Sequence, residues 1–160
     1  MKLIVSMCKN RGIGYHMIKP WIFKTEQELF NKITTGNGNN AVVMGKQTYL
    51  RNPPYVNRKE LVLFNKTFSS HWNISENFIK AFDFIDEKKF EDVWVIGGES
   101  VFQQALHNPK LSEIHILENN KHFHCNLFFP ELEKDKFKLA AAATYVENDL
   151  IITHSTFQKS

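Results

Sequence analysis

The sequence predicts one α/β domain over residues 1–160, built on a central mixed, mostly parallel sheet of about eight strands. Helices flank the sheet, and an antiparallel hairpin closes the C-terminal end. Three observations predict this. Short apolar strands alternate with helical segments through most of the chain, which requires crossovers and therefore parallel pairing. Two strands end in glycine and hand over directly to a helix, at Val43-Met44-Gly45-Lys46 and at Val95-Ile96-Gly97-Gly98. After Pro130 the pattern changes to two long stretches joined by Glu147-Asn148-Asp149, a hairpin signal.

The elements follow in order. Leu3 to Met7 is a short buried strand, and Lys24 to Thr34 a helix for which Thr25 and Glu28 offer a capping box. Gly36 to Asn40 is a turn cluster. Ala41 to Met44 is a second strand; it ends at Gly45 and runs into a short helix from Lys46, which Pro53-Pro54 stops. Glu60 to Phe64 is a third strand, Ser75 to Lys88 a helix, and Val93 to Ile96 a fourth strand. Gly97-Gly98 opens a helix to about Leu106, and Ile114 to Leu117 is a fifth strand. Phe137 to Val146 and Leu150 to Phe157 form the hairpin.

Composition narrows the function classes. With 42% hydrophobic and 23% charged residues the chain is ordinary for a globular domain. The longest apolar run is far short of a membrane span, and the opening residues lack a signal-peptide pattern, so a cytoplasmic, unprocessed protein is expected. The net charge of +3 comes from scattered lysines rather than a basic block, which gives no nucleic-acid footprint. Cys8 and Cys125 lie far apart with no CxxC, so neither a disulfide framework nor a thiolate zinc site is expected. His122 and His124 have no further ligand cluster beside them, and no metal centre is expected. The fourteen phenylalanines, with Trp72 and Trp94, read as core; Trp21 is placed to contact a ligand.

Three features carry chemistry. The glycine strand ends are the first: a helix N-terminus offers unsatisfied N–H groups and a positive dipole end, and glycine lets a phosphate approach the backbone. Ligands of open α/β sheets sit beyond the carboxyl ends of strands, so two such ends could grip a dinucleotide. Neither segment is a GxGxxG or Walker loop, and either glycine alone could simply permit a tight turn. The second feature is Glu26. It shares a helix face with Leu29, Phe30 and Ile33, at offsets of three, four and seven, whereas Gln27, Asn31 and Thr34 lie elsewhere on the wheel. A carboxylate among apolar neighbours loses hydration and calls for a donor. It is a candidate for holding a cationic or amide-like ligand group, although position alone favours the plainer role of a first-turn acid on the helix dipole. The third is the glycine-rich stretch Asn10 to Gly14, followed by Lys19-Pro20-Trp21, a loop able to close over a ligand.

The ordered set comprises Ile4-Val5, Arg11-Gly12-Ile13-Gly14, Pro20-Trp21, Glu26 with Phe30, and Val43 to Thr48. It continues through Arg58, Leu61 to Leu63, Val95 to Gly98 with Val101-Phe102, and Phe129-Pro130-Glu131. In this order and spacing it resembles the dihydrofolate reductase family over nearly the entire chain. The resemblance implies hydride transfer from NADPH to the pterin ring of dihydrofolate, giving tetrahydrofolate for one-carbon metabolism and thymidylate synthesis. It implies a catalytic role for Glu26, which would hold the ring's amino and amide groups and favour ring protonation. Ile4, Ser6, Phe30 and Ile96 would line the pterin and benzoyl slot, and Arg58 would fork the carboxylate of the glutamate tail. Lys46, Gln47 and Thr48 after Gly45 would reach the cofactor phosphates. Gly97-Gly98, joined by a cis peptide in this family, would precede the pyrophosphate helix with Glu99, Ser100, Val101 and Phe102. Gly14 to Lys19 would be the mobile loop flanking nicotinamide, Ser6 and Ile13 would also contact the cofactor, and Phe64, Asn65 and Lys66 would lie at the 2′-phosphate. A monomer open to antifolate inhibitors is implied as well.

Some positions depart from the family pattern. Leu117 stands where a threonine hydroxyl commonly bonds the acid, which would leave Glu26 short of a partner. Phe102 replaces a frequent tyrosine, Gln27 an apolar residue and Phe64-Asn65 a serine-containing pair, while Ser100 stands where some members have arginine. The Arg51 to Tyr55 stretch is one residue short. Two other readings keep the fold: a riboflavin-pathway pyrimidine reductase, against which Glu26 and Arg58 argue, and a catalytically degenerate folate- or nucleotide-binding protein.

Overall fold

The computed structural model describes residues 1–63, 74, 75 and 89–160. One eight-stranded sheet organises them, in the spatial order β5-β4-β3-β6-β1-β7-β10-β9. These strands are β1 (Lys2–Met7), β3 (Asn40–Gly45), β4 (Arg58–Leu63), β5 (Ile74–Ser75), β6 (Val93–Gly97), β7 (Glu113–Asn119), β9 (Phe137–Glu147) and β10 (Leu150–Lys159). All neighbours from β5 to β7 pair in parallel. β10 runs antiparallel to both β7 and β9. The mixed sheet and terminal hairpin therefore match expectation. A smaller ribbon pairs β2 (Gly12–Gly14) with β8 (Leu127–Phe128), two strands too short to leave a periodic trace in the sequence.

The apolar strands are continuous rather than alternating because the sheet is covered on both faces. Leu3, Val5, Val43, Val95, Ile114 and Ile116 pack with Val101, Phe102 and Ala105 of α3 (Glu99–Leu106). On the other face Ile4, Val42, Met44, Trp94, Ile96 and Leu117 pack against Leu29, Phe30 and Ile33 of α1 (Lys24–Thr35). The short α2 (Lys46–Arg51) follows β3 as expected.

Three local expectations change. The capping box does not form: α1 starts one residue earlier than Thr25, Phe23 is the N-cap without a side-chain bond, and the Thr25 hydroxyl donates to Glu147 Oε2 at 2.6 Å. Glu28 pairs instead with Lys24. Thr34, assigned to the polar side of the wheel, is fully buried. Its hydroxyl donates to the Phe30 carbonyl, and its own carbonyl accepts from Asn40 Nδ2. Ser75 ends strand β5 rather than opening a helix; the rest of that expected helix, with Phe64, Asn65, Lys66 and Trp72, lies outside the described residues.

At the start of β7 the sheet carries a half-buried polar knot. His115 Nε2 meets Glu113 Oε1, and His115 Nδ1 meets His154 Nε2 of β10 at 2.8 Å. Trp94 lies edge-on to His115, Lys2 Nζ stands 5.6 Å from the Trp94 ring centre, and Asp92 pairs with Lys2 at 3.1 Å. An ionised Glu113 can only accept, so His115 carries its proton on Nε2 and His154 Nε2 donates to His115 Nδ1. Burial holds both imidazoles below their ordinary value, against the raising pull of Glu113. The unfolded chain takes up these protons near pH 6.5 whereas the folded chain does so only at lower pH, so stability falls as the pH drops below about 6.5. Urea unfolding between pH 7 and 5 is expected to show this decline, and His154→Gln, which cannot titrate, to make it shallower. An unchanged slope in the variant would contradict the assignment.

Candidate active site

Glu26 sits in the first turn of α1 with its side chain entirely removed from solvent. Both sequence readings hold at once: the carboxylate profits from the helix dipole, and it is buried on the apolar side. Its oxygens are not left to the dipole alone. Trp21 Nε1 donates to Oε2 at 3.0 Å and to Oε1 at 3.2 Å, and Lys19 Nζ lies 2.6 Å from Oε1. A buried carboxylate is tolerated only with such charge-assisted donors.

Trp21 is aimed by its surroundings. Its ring stacks on Phe123 at a centroid distance of 5.1 Å and packs on Cys8 and Cys125. The two thiols, remote in sequence, are adjacent in the fold and free, and burial pushes the Cys125 thiol up. Gly12 is obligatory beside them, because a Cβ there would overlap the Cys125 sulphur. The loop leading to Lys19 turns back on itself. Tyr15 and Ile18 exchange both backbone hydrogen bonds around His16 and Met17, which stand at φ +47° and +68°. Two left-handed central residues define a type I′ geometry.

The rest of the slot runs along α1. Ile4, Phe30 and Ile96 share one cluster, as expected, with Leu117 and Tyr55 added. Ser6 of β1 is half-buried and faces Leu117 across the ladder. Leu117 offers no hydroxyl, yet Glu26 does not lack partners: Trp21 and Lys19 fill that role. At the far end of α1, Arg58 donates from Nη1 to Asn31 Oδ1 and Thr34 Oγ1, at 3.1 and 2.8 Å, and from Nε to the Val56 carbonyl. Its guanidinium lies 5.4 Å from the Tyr55 ring centre. Burial raises the Tyr55 phenol to about 12, with Arg58 pulling the other way, so the ring stays neutral beside the cation. Glu26 and Thr34 are eight positions apart on one helix, so the acid and the guanidinium site stand about 12 Å apart, with Phe30 midway.

The glycine strand ends come together beside the acid's end of the slot. β3 and β6 are neighbours, and the register shifts so that Met44 faces Gly97. The Gly97–Gly98 peptide is cis, as the resemblance implied. Gly97 has φ +123°, and a Cβ there would lie 3.2 Å from Phe102 Cζ; one on Gly45 would lie 3.3 Å from Val101 Cγ2. Thr48 Oγ1 is the nearest atom to a Cβ on Gly98, at 3.8 Å, which leaves the backbone there open to approach. The exposed Lys46 and Gln47 in the first turn of α2, and Ser100 in that of α3, flank this opening. Val101 and Phe102 are buried, Phe102 edge-on to Phe129, so their side chains shape the cradle from beneath. Glu99 would repel an anion, but its carboxylate turns away to accept from the Phe128 N–H at 2.8 Å. Narrow glycine backbone, a cation and polar first turns fit a phosphate-bearing dinucleotide. Ile13 of β2 packs on the cluster that holds Val101 and Phe102, and Gly14 pairs with Leu127 of β8, while Lys19, expected beside the cofactor, is engaged with Glu26.

A mostly parallel sheet with two glycine turns at its carboxyl edge, and a buried acid beside an apolar slot, fits an α/β reductase. The family model described as dihydrofolate reductase matches residues 1–159. Curated relatives of that name include those of Heliothis virescens, 32% identical over 87% of this chain and 83% of its own length, and Aedes albopictus, 29% identical over 92% and 88%. The enzyme of Sus scrofa is 26% identical over 94% and 89%. The chain belongs to the dihydrofolate reductase family, whose members reduce dihydrofolate to tetrahydrofolate with NADPH.

Sequence reasoning left Trp21 as a general ligand contact and missed Asn31, Thr34 and Tyr55 around Arg58. Trp21 five residues ahead of Glu26 was the available signal for the first; nothing in the periodicity marked the others. Trp21→Phe removes the indole donor but keeps the stacked ring, which leaves part of the buried Glu26 carboxylate unsatisfied. Urea unfolding at neutral pH is expected to show a loss of about 1–3 kcal/mol, and an unchanged midpoint would discount the bond.

Proposed function

We propose that Glu26 is the acid that orients the pterin ring of dihydrofolate and that Arg58 binds its glutamate carboxylate. The observation that carries this reading is the single helix α1. It holds a fully buried carboxylate at one end and a braced guanidinium site at the other, with an apolar slot between. The ring presents an amide N–H and an amine N–H side by side, which suit the two oxygens of one carboxylate. Held there, the ring nitrogen gains a proton from water, and its neighbouring carbon becomes a better hydride acceptor. Phe30, Ile4 and Ile96 confine the flat ring system, with Ser6 at its edge. Arg58, its Nε and Nη1 already fixed by Val56, Asn31 and Thr34, offers its remaining donors to the tail. NADPH, when bound, supplies the hydride. Lys46, Gln47 and Thr48, the Gly45 and Gly97-Gly98 backbone and Ser100 would hold its phosphates. The cradle abuts the acid's end of the slot, so catalysis is mainly placement of the two reacting carbons. The same reading has the protein acting as a monomer in the cytoplasm and open to antifolates. No helix among the described residues is long and apolar enough to cross a membrane.

Two substitutions test the roles. Glu26→Gln is expected to lower turnover by roughly 10²–10⁴-fold at neutral and alkaline pH, and much less in acid, where the substrate arrives already protonated. An equal loss at every pH would remove the proton-handling role. For Arg58→Leu the Michaelis constant for dihydrofolate is expected to rise at least tenfold, roughly the loss of one charge-assisted pair, with a smaller change in kcat. An unchanged constant would take Arg58 out of the site.

A further inference from the structure

The geometry points to Lys19 as an internal competitor of the substrate: a loop cation that occupies Glu26 in the free protein and must leave before the heterocycle docks. The inference rests on the reading of Glu26 given above. The carboxylate has two oxygens. Oε1 receives both Lys19 Nζ, at 2.6 Å, and Trp21 Nε1, while Oε2 receives Trp21 at 3.0 Å. A flat ring with two parallel N–H groups needs a lone pair on each oxygen. Trp21 spans both oxygens, so together with Lys19 it fills Oε1, and its ring is fixed by the stack on Phe123 and by Cys8 and Cys125. Lys19 is held differently. Its side chain is one-third exposed against none for Glu26, and it hangs from the exposed turn of residues 15–18. It also makes a cation–π approach, 5.7 Å from the Trp21 ring centre. Of the two donors on Oε1, Lys19 is therefore the one whose charge can move into water, the incoming ring's N–H groups taking its place on Glu26.

The consequence is thermodynamic. Substrate binds only the fraction of molecules in which Lys19 has swung away, so apparent affinity is reduced by that fraction. While Lys19 stays in place, its charge also opposes entry of a protonated ring, as like charges at close range do. The exchange ties docking of the ring to release of residues 15–19, so the loop responds to substrate through a named contact.

Lys19→Met tests this, with Lys19→Gln as a second variant and Lys19→Arg as the conservative control. Steady-state kinetics with dihydrofolate and NADPH are paired with an equilibrium titration of dihydrofolate followed by tryptophan fluorescence. Expected are a Kd and KM for dihydrofolate lowered roughly three- to tenfold in Lys19→Met and Lys19→Gln, as loss of a partly exposed ion pair implies. The Michaelis constant for NADPH is expected to move much less, and Lys19→Arg to restore the weaker dihydrofolate binding. Unchanged or weaker dihydrofolate binding in both neutral variants would overturn the proposal, as would a raised Michaelis constant for NADPH with dihydrofolate unaffected, which would place Lys19 on the cofactor. Glu26→Gln separates the two layers. If it retains full turnover, the reading of Glu26 fails; if it loses turnover while the Lys19 variants bind no more tightly, only the competition fails.

Discussion

A carboxylate with no access to water must be neutralised by the fold itself, and the site is organised around that requirement for Glu26. Moving an unpaired carboxylate out of water costs several kcal/mol even after relaxation. The helix dipole at the start of α1 offsets part of this, and Trp21 and Lys19 supply the directed donors. Each donor recruits further structure. Trp21 needs Phe123 at its face and the two thiols at its edge, and those thiols need Gly12. One buried charge thus links the end of β1, the β2–β8 ribbon, the loop before α1 and the segment around residue 123.

The sheet then sets where the remaining parts fall. Because β3, β6 and β1 are parallel, their carboxyl ends share one edge, and the two glycine turns arrive there together. α1 starts near that edge and runs back to the opposite one, where Asn40 of β3 and Arg58 of β4 are register partners. Asn40 bridges the two elements, donating to the Thr34 carbonyl and accepting from the Asp92 N–H, so the end of the helix that braces Arg58 is tied to the sheet. The acid and the guanidinium are consequently spaced by a rigid helix rather than by loops. With the roles proposed for Glu26 and Arg58, an extended ligand with a polar ring at one end and a carboxylate at the other would meet a fixed gauge.

The parts of this arrangement legible in the sequence were those with a strong local cause. Strands buried on both faces, such as Leu3 to Met7 and Val93 to Ile96, read as apolar runs, and the Asn148 turn announced the hairpin, where that residue indeed takes φ +56°. Glu26 was legible because the helical period set it against Leu29, Phe30 and Ile33. The α1 cap was not, since Thr25 was drawn to Glu147 of β9, more than a hundred residues away. Thr34 was misplaced for a related reason: a threonine looks polar on a wheel, yet its hydroxyl can satisfy itself on the Phe30 carbonyl and then accept Arg58. The contacts of Lys19, Trp21 and Cys125 depend on how loops fold over the sheet, and no periodicity encodes that.

Leu117 shows how such loop contacts alter the meaning of a single substitution. Taken alone, an apolar residue where a hydroxyl is expected subtracts a hydrogen bond from the acid. In the fold Leu117 is fully buried with Ile4 and Ile96, where it extends the apolar wall of the slot, and the acid finds its donors on the other side. A donor anchored in the sheet would stay on the carboxylate with or without substrate. Donors delivered by the loop and by Trp21 differ from it in kind: one is held by a stacked ring and two thiols, and one stands at the solvent boundary. The free protein can therefore keep its buried charge satisfied with a partner that is itself exchangeable. With the roles proposed for Glu26 and Lys19, such a site would avoid both an uncompensated anion when empty and an irremovable cation when ligand arrives.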